Sequence, residues 1–366
     1  MFEYFSLHKS RLFLIAGVSV LILLSSGCGK DDPHAVISMS DSAGQTRSQS
    51  RALIVETYDG GQTWEAPCIF DGAATFVAGD DIYNSWGQDI IVAAGSDRDG
   101  IAAIFRTVDY GNNWDKVCGD YYDIHYVNDL ATGSLVNWAV AVGDLGAVFQ
   151  TRNAGASWSQ KNSDTTSHLY AVDFYRVGFG PLEGFAVGEK GTIIRSQDAG
   201  DTWSQLNSPT ACDLTDVRAV GYFEEDEGLV VIVGYEGTIL RSEDTGNTWT
   251  EQQIVTLPDF NAVYFNELEI YGGFGIAVAQ GGQIYKSTDD GITWDYVTTF
   301  PGIPLYDVLV TSEGDCIAVG KHHILYSPDQ GETWSIVLVD NAARQYFYGV
   351  HLFNDSSYGF VVGKIY

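Results

Sequence analysis

The sequence predicts an all-β protein: a single seven-bladed β-propeller of four-stranded blades, closed by pairing its two ends. Three observations lead there. One eight-residue turn pattern recurs seven times along the 366 residues. The tryptophans that end successive copies are 50, 44, 45, 46, 45 and 40 residues apart, room for four short strands each. The partial repeats at the two ends add up to one blade.

Composition sets the outer bounds. The chain carries 48 acidic against 19 basic side chains, a net charge of −29. Nucleic-acid binding is excluded as an expectation, because phosphate contacts are made chiefly by Lys and Arg. Docking on anionic lipid through a basic face is excluded for the same reason. Frequent Gly (41), Tyr (21) and Trp (9) suit short strands joined by tight turns.

The first element is an address. His8, Lys9 and Arg11 precede an unbroken apolar run from Leu12 to Leu24, followed by Ser25-Ser26-Gly27-Cys28. That order reads as a secretory signal over residues 1–27, too short for a membrane-spanning helix of about 20 residues. The small residues before Cys28 resemble the lipobox of bacterial lipoproteins, in which the cysteine is lipidated and becomes the first mature residue. Ser25 departs from the leucine usual at its place. Gly29-Lys30-Asp31-Asp32 resembles the signal that sends lipoproteins of the Bacteroidota to the outer face of the outer membrane. The resemblance implies an outer-membrane lipoprotein exposed at the cell surface, or otherwise facing the periplasm. Residues 28–50, rich in Ser, Asp, Gln and Gly beyond position 32, read as a flexible tether. Without residues 1–27 the chain keeps 17 basic and 47 acidic side chains, so anionic membrane repels the domain and the lipid supplies the anchor.

Besides Cys28 there are Cys68, Cys118, Cys212 and Cys316. Cys68 and Cys118 each follow a tryptophan by four residues, equivalent places in neighbouring repeats and too far apart to bridge. Mostly free or buried thiols are expected. No spacing suggests a zinc site, and no metal or cofactor is expected.

The propeller occupies residues 51–366. Its octads are Thr57–Trp64, Thr107–Trp114, Thr151–Trp158, Ser196–Trp203, Ser242–Trp249, Ser287–Trp294 and Ser327–Trp334, of pattern [ST]-x-[DN]-x-G-x-x-W. The third residue (Asp59, Asp109, Asn153, Asp198, Asp244, Asp289, Asp329) accepts bonds from backbone N–H groups in a tight reversal. The glycine supplies a positive φ, and the tryptophan covers the turn. These acids are therefore structural. Upstream of each octad lies strand–turn–strand, as in Phe185–Ile194 and Val231–Leu240, and before that another strand, as in Leu169–Tyr175 and Leu305–Val310. Each repeat thus holds strands A to D, with the octad joining C to D. The first octad is preceded only by a C strand, Arg51–Glu56. The last is followed by A and B strands, Tyr346–Phe353 and Tyr358–Tyr366, which complete the same blade and leave no open sheet edge.

The octads resemble the Asp-box, or BNR, repeat of sialidases and related propellers. Over residues 51–366 the arrangement is most similar to single propellers of the photosystem II assembly-factor type. That resemblance implies a protein-binding, non-catalytic role. Sialidases carry an Arg-Ile-Pro motif absent here and have six blades. Arg106, Arg152, Arg195 and Arg241 sit beside the octads and suit structural roles.

Ligands are expected on the face of the B–C turns and D–A loops. Those turns include Asp97-Arg98-Asp99, Asp144, Glu189-Lys190, Tyr235-Glu236, Gln283 and Lys321-His322-His323; the most distinctive D–A loop is Asp120–Asp129. Tyr121, Tyr122, His125, Tyr126, Tyr235, Glu236, His322 and His323 are the ligand-binding candidates, since tyrosines stack and carboxylates accept hydrogen bonds. Against this stands the plainer reading of a solvated loop, with the two histidines simply exposed. The expected function is a monomeric, lipid-anchored, non-catalytic propeller presenting this face to a protein or glycan. A glycoside hydrolase using paired carboxylates and a structural component of an envelope complex are the alternatives.

Overall fold

The computed structural model describes residues 13–15, 18–20, 50–65, 68–70, 73–82, 90–109, 113–118, 126–132, 135–176, 182–221, 228–266, 273–340, 344–353 and 357–366. The expectations for Cys28, the tether, Tyr121, Tyr122 and His125 lie outside them. The short strands Phe13–Ile15 and Val18–Val20 pair with each other, apart from the rest. Among the described residues no helix is long and apolar enough to cross a membrane.

From Arg51 onwards the described residues form seven four-stranded antiparallel sheets, a seven-bladed propeller. Blade 1 is composite. Its A and B strands are Gln345–Leu352 and Gly359–Ile365, and its C and D strands are Arg51–Thr57 and Cys68–Phe70. Arg51 pairs with Ile365 and Thr57 with Gly359, so the two ends of the chain zip along a seven-residue register. Blades 2 to 7 are continuous in sequence, with A strands at Ala73–Ile82, Val127–Thr132, Leu169–Arg176, Leu214–Gly221, Phe260–Phe265 and Leu305–Val310.

The B strands explain the apolar runs. Ala139–Gly143, Gly228–Gly234, Gly275–Ala279 and Cys316–Gly320 are buried at every position. A strand covered on both faces has no reason to alternate. The core is a series of layers between blades. Val92 and Ile104 of blade 2 meet Leu130 and Phe149 of blade 3. Blade 1 packs on both neighbours: Ile54, Phe360 and Val362 meet Phe76 and Phe105, while Leu53, Val55 and Val361 meet Ile317 and Ile324. Ring closure is therefore a hydrophobic event as well as a hydrogen-bonded one. Cys118, Cys212 and Cys316 are free thiols, the first and last buried, whereas Cys68 is disulfide-bonded.

The octad turns share one network. Asp198 Oδ1 accepts from Ser196 Oγ (2.9 Å) and Thr202 N (2.8 Å), and Oδ2 accepts from Thr202 Oγ1 (2.7 Å). Gly200 N donates to Ser196 Oγ (2.8 Å), and in this turn Trp203 Nε1 donates to Gly200 O (3.2 Å), a bond that Trp249 and Trp294 do not make. Asn153 does the same work with an amide: Oδ1 accepts from Thr151 Oγ1 and Ser157 N, and Nδ2 donates to Ser157 Oγ. Burial works to raise the pKa of Asp59, Asp198, Asp244 and Asp289, but these bonds outweigh it and the carboxyls sit below their ordinary range. Gly331 shows why the fifth place is glycine: φ is +80° and a Cβ would lie 2.4 Å from Ile276 Cδ1 of the neighbouring blade. The residue before it is left-handed too, in Ala154, Ala199, Thr245, Asp290 and Gln330, a strain the pattern did not announce.

The four arginines tie each turn to the next blade's turn. Arg106 Nε donates to Ala154 O and Arg241 Nε to Asp290 O, both at 2.6 Å. Arg195 reaches Thr245 Oγ1 (3.0 Å), and Arg152 pairs with Asp201. These ties lie on the C–D face. The opposite face carries the B–C turns and D–A loops.

Candidate functional site: the mouth of the central channel

The seven A strands surround a central channel with a cavity of about 380 Å³. Carboxylates on these strands tie them to one another. Asp129 accepts a bond from Val172 N (2.8 Å), Asp173 from Ala219 N (2.8 Å), Asp216 from Val263 N (2.7 Å) and Asp307 from Val350 N (2.8 Å). Each acceptor reaches the A strand of the following blade. Asp80 likewise accepts from Thr132 N and Oγ1. Asp173, Asp216 and Asp307 also accept from the N–H of the next residue in their own strand. Burial dominates the titration of four of these acids: Asp80, Asp129 and Asp216 are raised, and Asp307 is pushed up to about 6.

The sequence reading missed this ring. It placed Asp129 at the end of a D–A loop, whereas Val127–Thr132 is a strand. Aspartate usually marks a turn, but here its two oxygens serve N–H groups that a strand at the channel wall would otherwise leave unpaired. The available signal was an acid inside an apolar strand, as in Leu-Thr-Asp-Val and Leu-Tyr-Asp-Val.

Between blades 1 and 2 a histidine takes over. His351 Nδ1 lies 3.1 Å from Asp80 Oδ1, and Nε2 lies 2.6 Å from Asp81 Oδ1. Burial works to lower the His351 pKa, but the two carboxylates outweigh it and the pKa is raised. The three residues offer ligand atoms within 4.8 Å of one another. With a carboxylate on each ring nitrogen, the arrangement is that of a doubly bonded imidazolium cross-linking two blades.

The mouth on the B–C face has a repeated construction. The first residue of a B–C turn donates its N–H to the carbonyl just before its own blade's A strand: Asp144 to Tyr126, Glu189 to His168, Tyr235 to Asp213, Gln280 to Asp259 and Lys321 to Pro304. The B strand must approach closely here; a Cβ on Gly188 would lie 1.9 Å from His168 O. The next turn residue is left-handed without being glycine in Leu145, Lys190, Glu236 and His322, with φ between +56° and +66°.

This places the described candidates on one face but on different blades: Tyr126 on blade 3, Tyr235 and Glu236 on blade 5, His322 and His323 on blade 7. Tyr126 and Tyr235 are 45% and 41% exposed, so their rings are available. The histidines are not simply exposed, as the plainer reading had it. His322 Nδ1 lies 2.6 Å from Gln345 O and its ring meets Tyr346 edge-on, while His323 Nδ1 lies 2.8 Å from Lys321 O. Gln283 opens strand C instead of forming the turn.

The mouth is electrically uneven. On blades 3 to 5, burial and the charges of Asp213, Glu189 and Asp144 push Tyr170 up to about 12. On blades 7 and 1, Tyr306 and Tyr348 line the channel with ring centroids 5.2 Å apart, and Lys364 lies against Tyr346, Tyr348 and Tyr366.

Fold and channel together define a single-ring, seven-bladed propeller whose A strands are stapled through buried carboxylates. Over residues 120–221 and 206–315, more than half of the chain, the sequence matches the family described as photosynthesis system II assembly factor YCF48, and the chain belongs to that family. Two solved structures share its fold. "YCF48 bound to D1 peptide" is 19% identical with a TM-score of 0.58, covering 80% of this chain and 91% of that one. "YCF48 from Cyanidioschyzon merolae" is 16% identical with a TM-score of 0.61, covering 81% and 97%. No curated protein matches the chain.

Proposed function

We propose that this chain is a non-catalytic propeller that holds a polypeptide partner at the B–C mouth of its channel, anchored to the cell envelope by a lipid on Cys28. The observation that carries the reading is how the channel acids are used. Asp129, Asp173, Asp216 and Asp307 each accept backbone N–H bonds that hold the ring together. Acid–base hydrolysis of a glycan needs two carboxyls free to face the substrate, and these are engaged. The mouth above them, with exposed tyrosines and separated charges, suits recognition. A family relative has been solved with a bound D1 peptide, which supports a polypeptide over a sugar.

The proposed anchor is compatible with the same geometry. Arg51 pairs with Ile365 at the B–C end of blade 1, so the tether leaves from the binding face. A tether of 23 residues, as the composition of 28–50 implies, would span about 24–29 Å and keep that face close to the envelope.

The test is photocrosslinking in cells from a benzophenone residue at Tyr126 or Tyr235, with Thr248 on the C–D face as control. Adducts with a protein from the first two positions and none from Thr248 are expected. Adducts confined to Thr248, or saturable glycan binding without protein adducts, would overturn the reading.

A further inference from the structure

We infer that Lys321 and Lys364, held around Tyr346 at the mouth between blades 7 and 1, form an anion subsite for the carboxylate side chains of an acidic polypeptide segment. The inference rests on the polypeptide-binding reading above and names the chemistry of the partner.

With 48 acids and 19 bases, a lysine in this chain has no shortage of carboxylates to pair with. Among the described lysines, Lys116, Lys161, Lys190 and Lys286 each form an ion pair. Lys321 and Lys364 form none with a described residue. They come from distant parts of the chain, a B–C turn of blade 7 and the end of strand B of blade 1, yet both ammoniums lie over the same ring. Lys321 Nζ is 5.8 Å and Lys364 Nζ 5.5 Å from the Tyr346 centroid. Strand A of blade 1 brings them together, through the bridge between Lys321 and Tyr346.

Lys364 is also preorganised. Burial works to lower its pKa, but the neighbouring Tyr348 and Tyr366 hydroxyls outweigh it and hold the ammonium charged. Its Nζ is 4.9 Å from the Tyr366 centroid and 5.4 Å from that of Tyr348. Tyrosine faces steady a cation without neutralising it. The result is two positive charges at a channel mouth with no carboxylate of a described residue bonded to either. Asp340, beside this turn, is turned to other work: its Oδ2 accepts the Arg344 and Gln345 N–H groups and lies 3.9 Å from His322.

The same packing favours a peptide carboxylate over an acidic sugar. A sugar ring needs an open aromatic face to stack on. Tyr346 is covered by both lysines, stacked with Tyr348 and met at its edges by Tyr366 and His322. What remains on offer is charge. Recognition then falls to short-range pairing, since the protein's overall negative field is largely screened beyond about 8 Å at physiological salt.

The experiment is panning of a random dodecapeptide display library on the full chain in 0.15 M salt, then affinities of the enriched peptides by fluorescence anisotropy. Enrichment of Asp and Glu over the input is expected. Lys364→Met and Lys321→Met should each weaken binding at least 10-fold, Lys364→Arg should retain it, and Lys190→Met, on the acidic side of the mouth, should leave it unchanged. Enriched peptides without acidic residues, or affinities unmoved by both lysine substitutions, would overturn the subsite while leaving polypeptide binding intact. No enriched peptide at all would overturn both. Circular dichroism melts of each variant separate lost binding from lost fold.

Discussion

Replacing Asp307 with Asn removes a buried charge from an inter-blade staple while keeping one acceptor oxygen. In the native chain Oδ2 accepts from Val350 N at 2.8 Å and Oδ1 from Val308 N at 2.7 Å. Burial raises this carboxyl from 3.8 to about 6. A group whose folded pKa is raised stabilises the fold fully below its unfolded pKa, and that contribution is lost as pH rises through the folded value. A shift of about two units corresponds to about 3 kcal/mol, lost between roughly pH 4 and pH 7. Asn does not titrate there. It pays a pH-independent cost of about 1–2 kcal/mol instead, because one oxygen must serve two N–H donors. The stability advantage of the wild type over Asp307→Asn is therefore largest near pH 4 and shrinks by about 3 kcal/mol by pH 8, where it vanishes or reverses. Urea unfolding followed by tryptophan fluorescence at five pH values between 4 and 8 reads this directly. A gap between the two proteins that stays constant across that range would refute the account of Asp307 as a burial-raised carboxyl.

Asp198→Ala removes the acceptor of three bonds in one octad turn. It should cost about 2–3 kcal/mol in chemical unfolding, and a loss below 0.5 kcal/mol would mean that the turn holds without its acid. Gly188→Ala puts a Cβ 1.9 Å from His168 O. A loss of at least 3 kcal/mol, or failure to accumulate as folded protein, is the expected result, and a near-neutral effect would sink the close-approach argument. His351→Gln takes the positive charge from between Asp80 and Asp81. Its cost should be greatest below about pH 6.5 and should narrow as pH rises through the raised folded pKa of His351; a cost that grows with pH would invert the assignment. Cys118, Cys212 and Cys316 stand outside disulfides and Cys68 within one, so a diacylglycerol thioether on Cys28 would leave Cys68 as a thiol in the mature lipoprotein. Intact mass should show a mature chain beginning at a lipidated Cys28, and Cys28→Ser should release the protein from membranes. An uncleaved N-terminus with Cys28 in a disulfide would overturn the lipoprotein assignment.

The architecture was legible because its signals are local. An octad fixes a turn through residues at most seven apart, so Ser196, Asp198, Gly200 and Trp203 announce their geometry in sequence. Blade count and ring closure followed from repetition of that turn and from the unequal remainders at the two ends. The candidate face was legible only in outline. Tyr126 and Tyr235 lie on the expected face and are exposed, but His322 is bonded to a carbonyl contributed by Gln345. Sequence distance hides such a partner.

The periodic part of this protein is therefore written in its local residue pattern: turn, strand, blade, number of blades and the joining of the ends. Its hydrogen bonds and burial patterns repeat within about 45 residues and need no knowledge of the ring. Only the tertiary structure decided the channel and its mouth. Asp129 meets Val172, His351 meets Asp80 and Asp81, and Lys321 meets Lys364 over Tyr346 because closing the ring brings seven A strands around one axis. Each of those meetings joins different blades. A side chain that looks like a turn former or a solvated charge in its own segment acquires its partner from a neighbour that the repeat pattern does not specify.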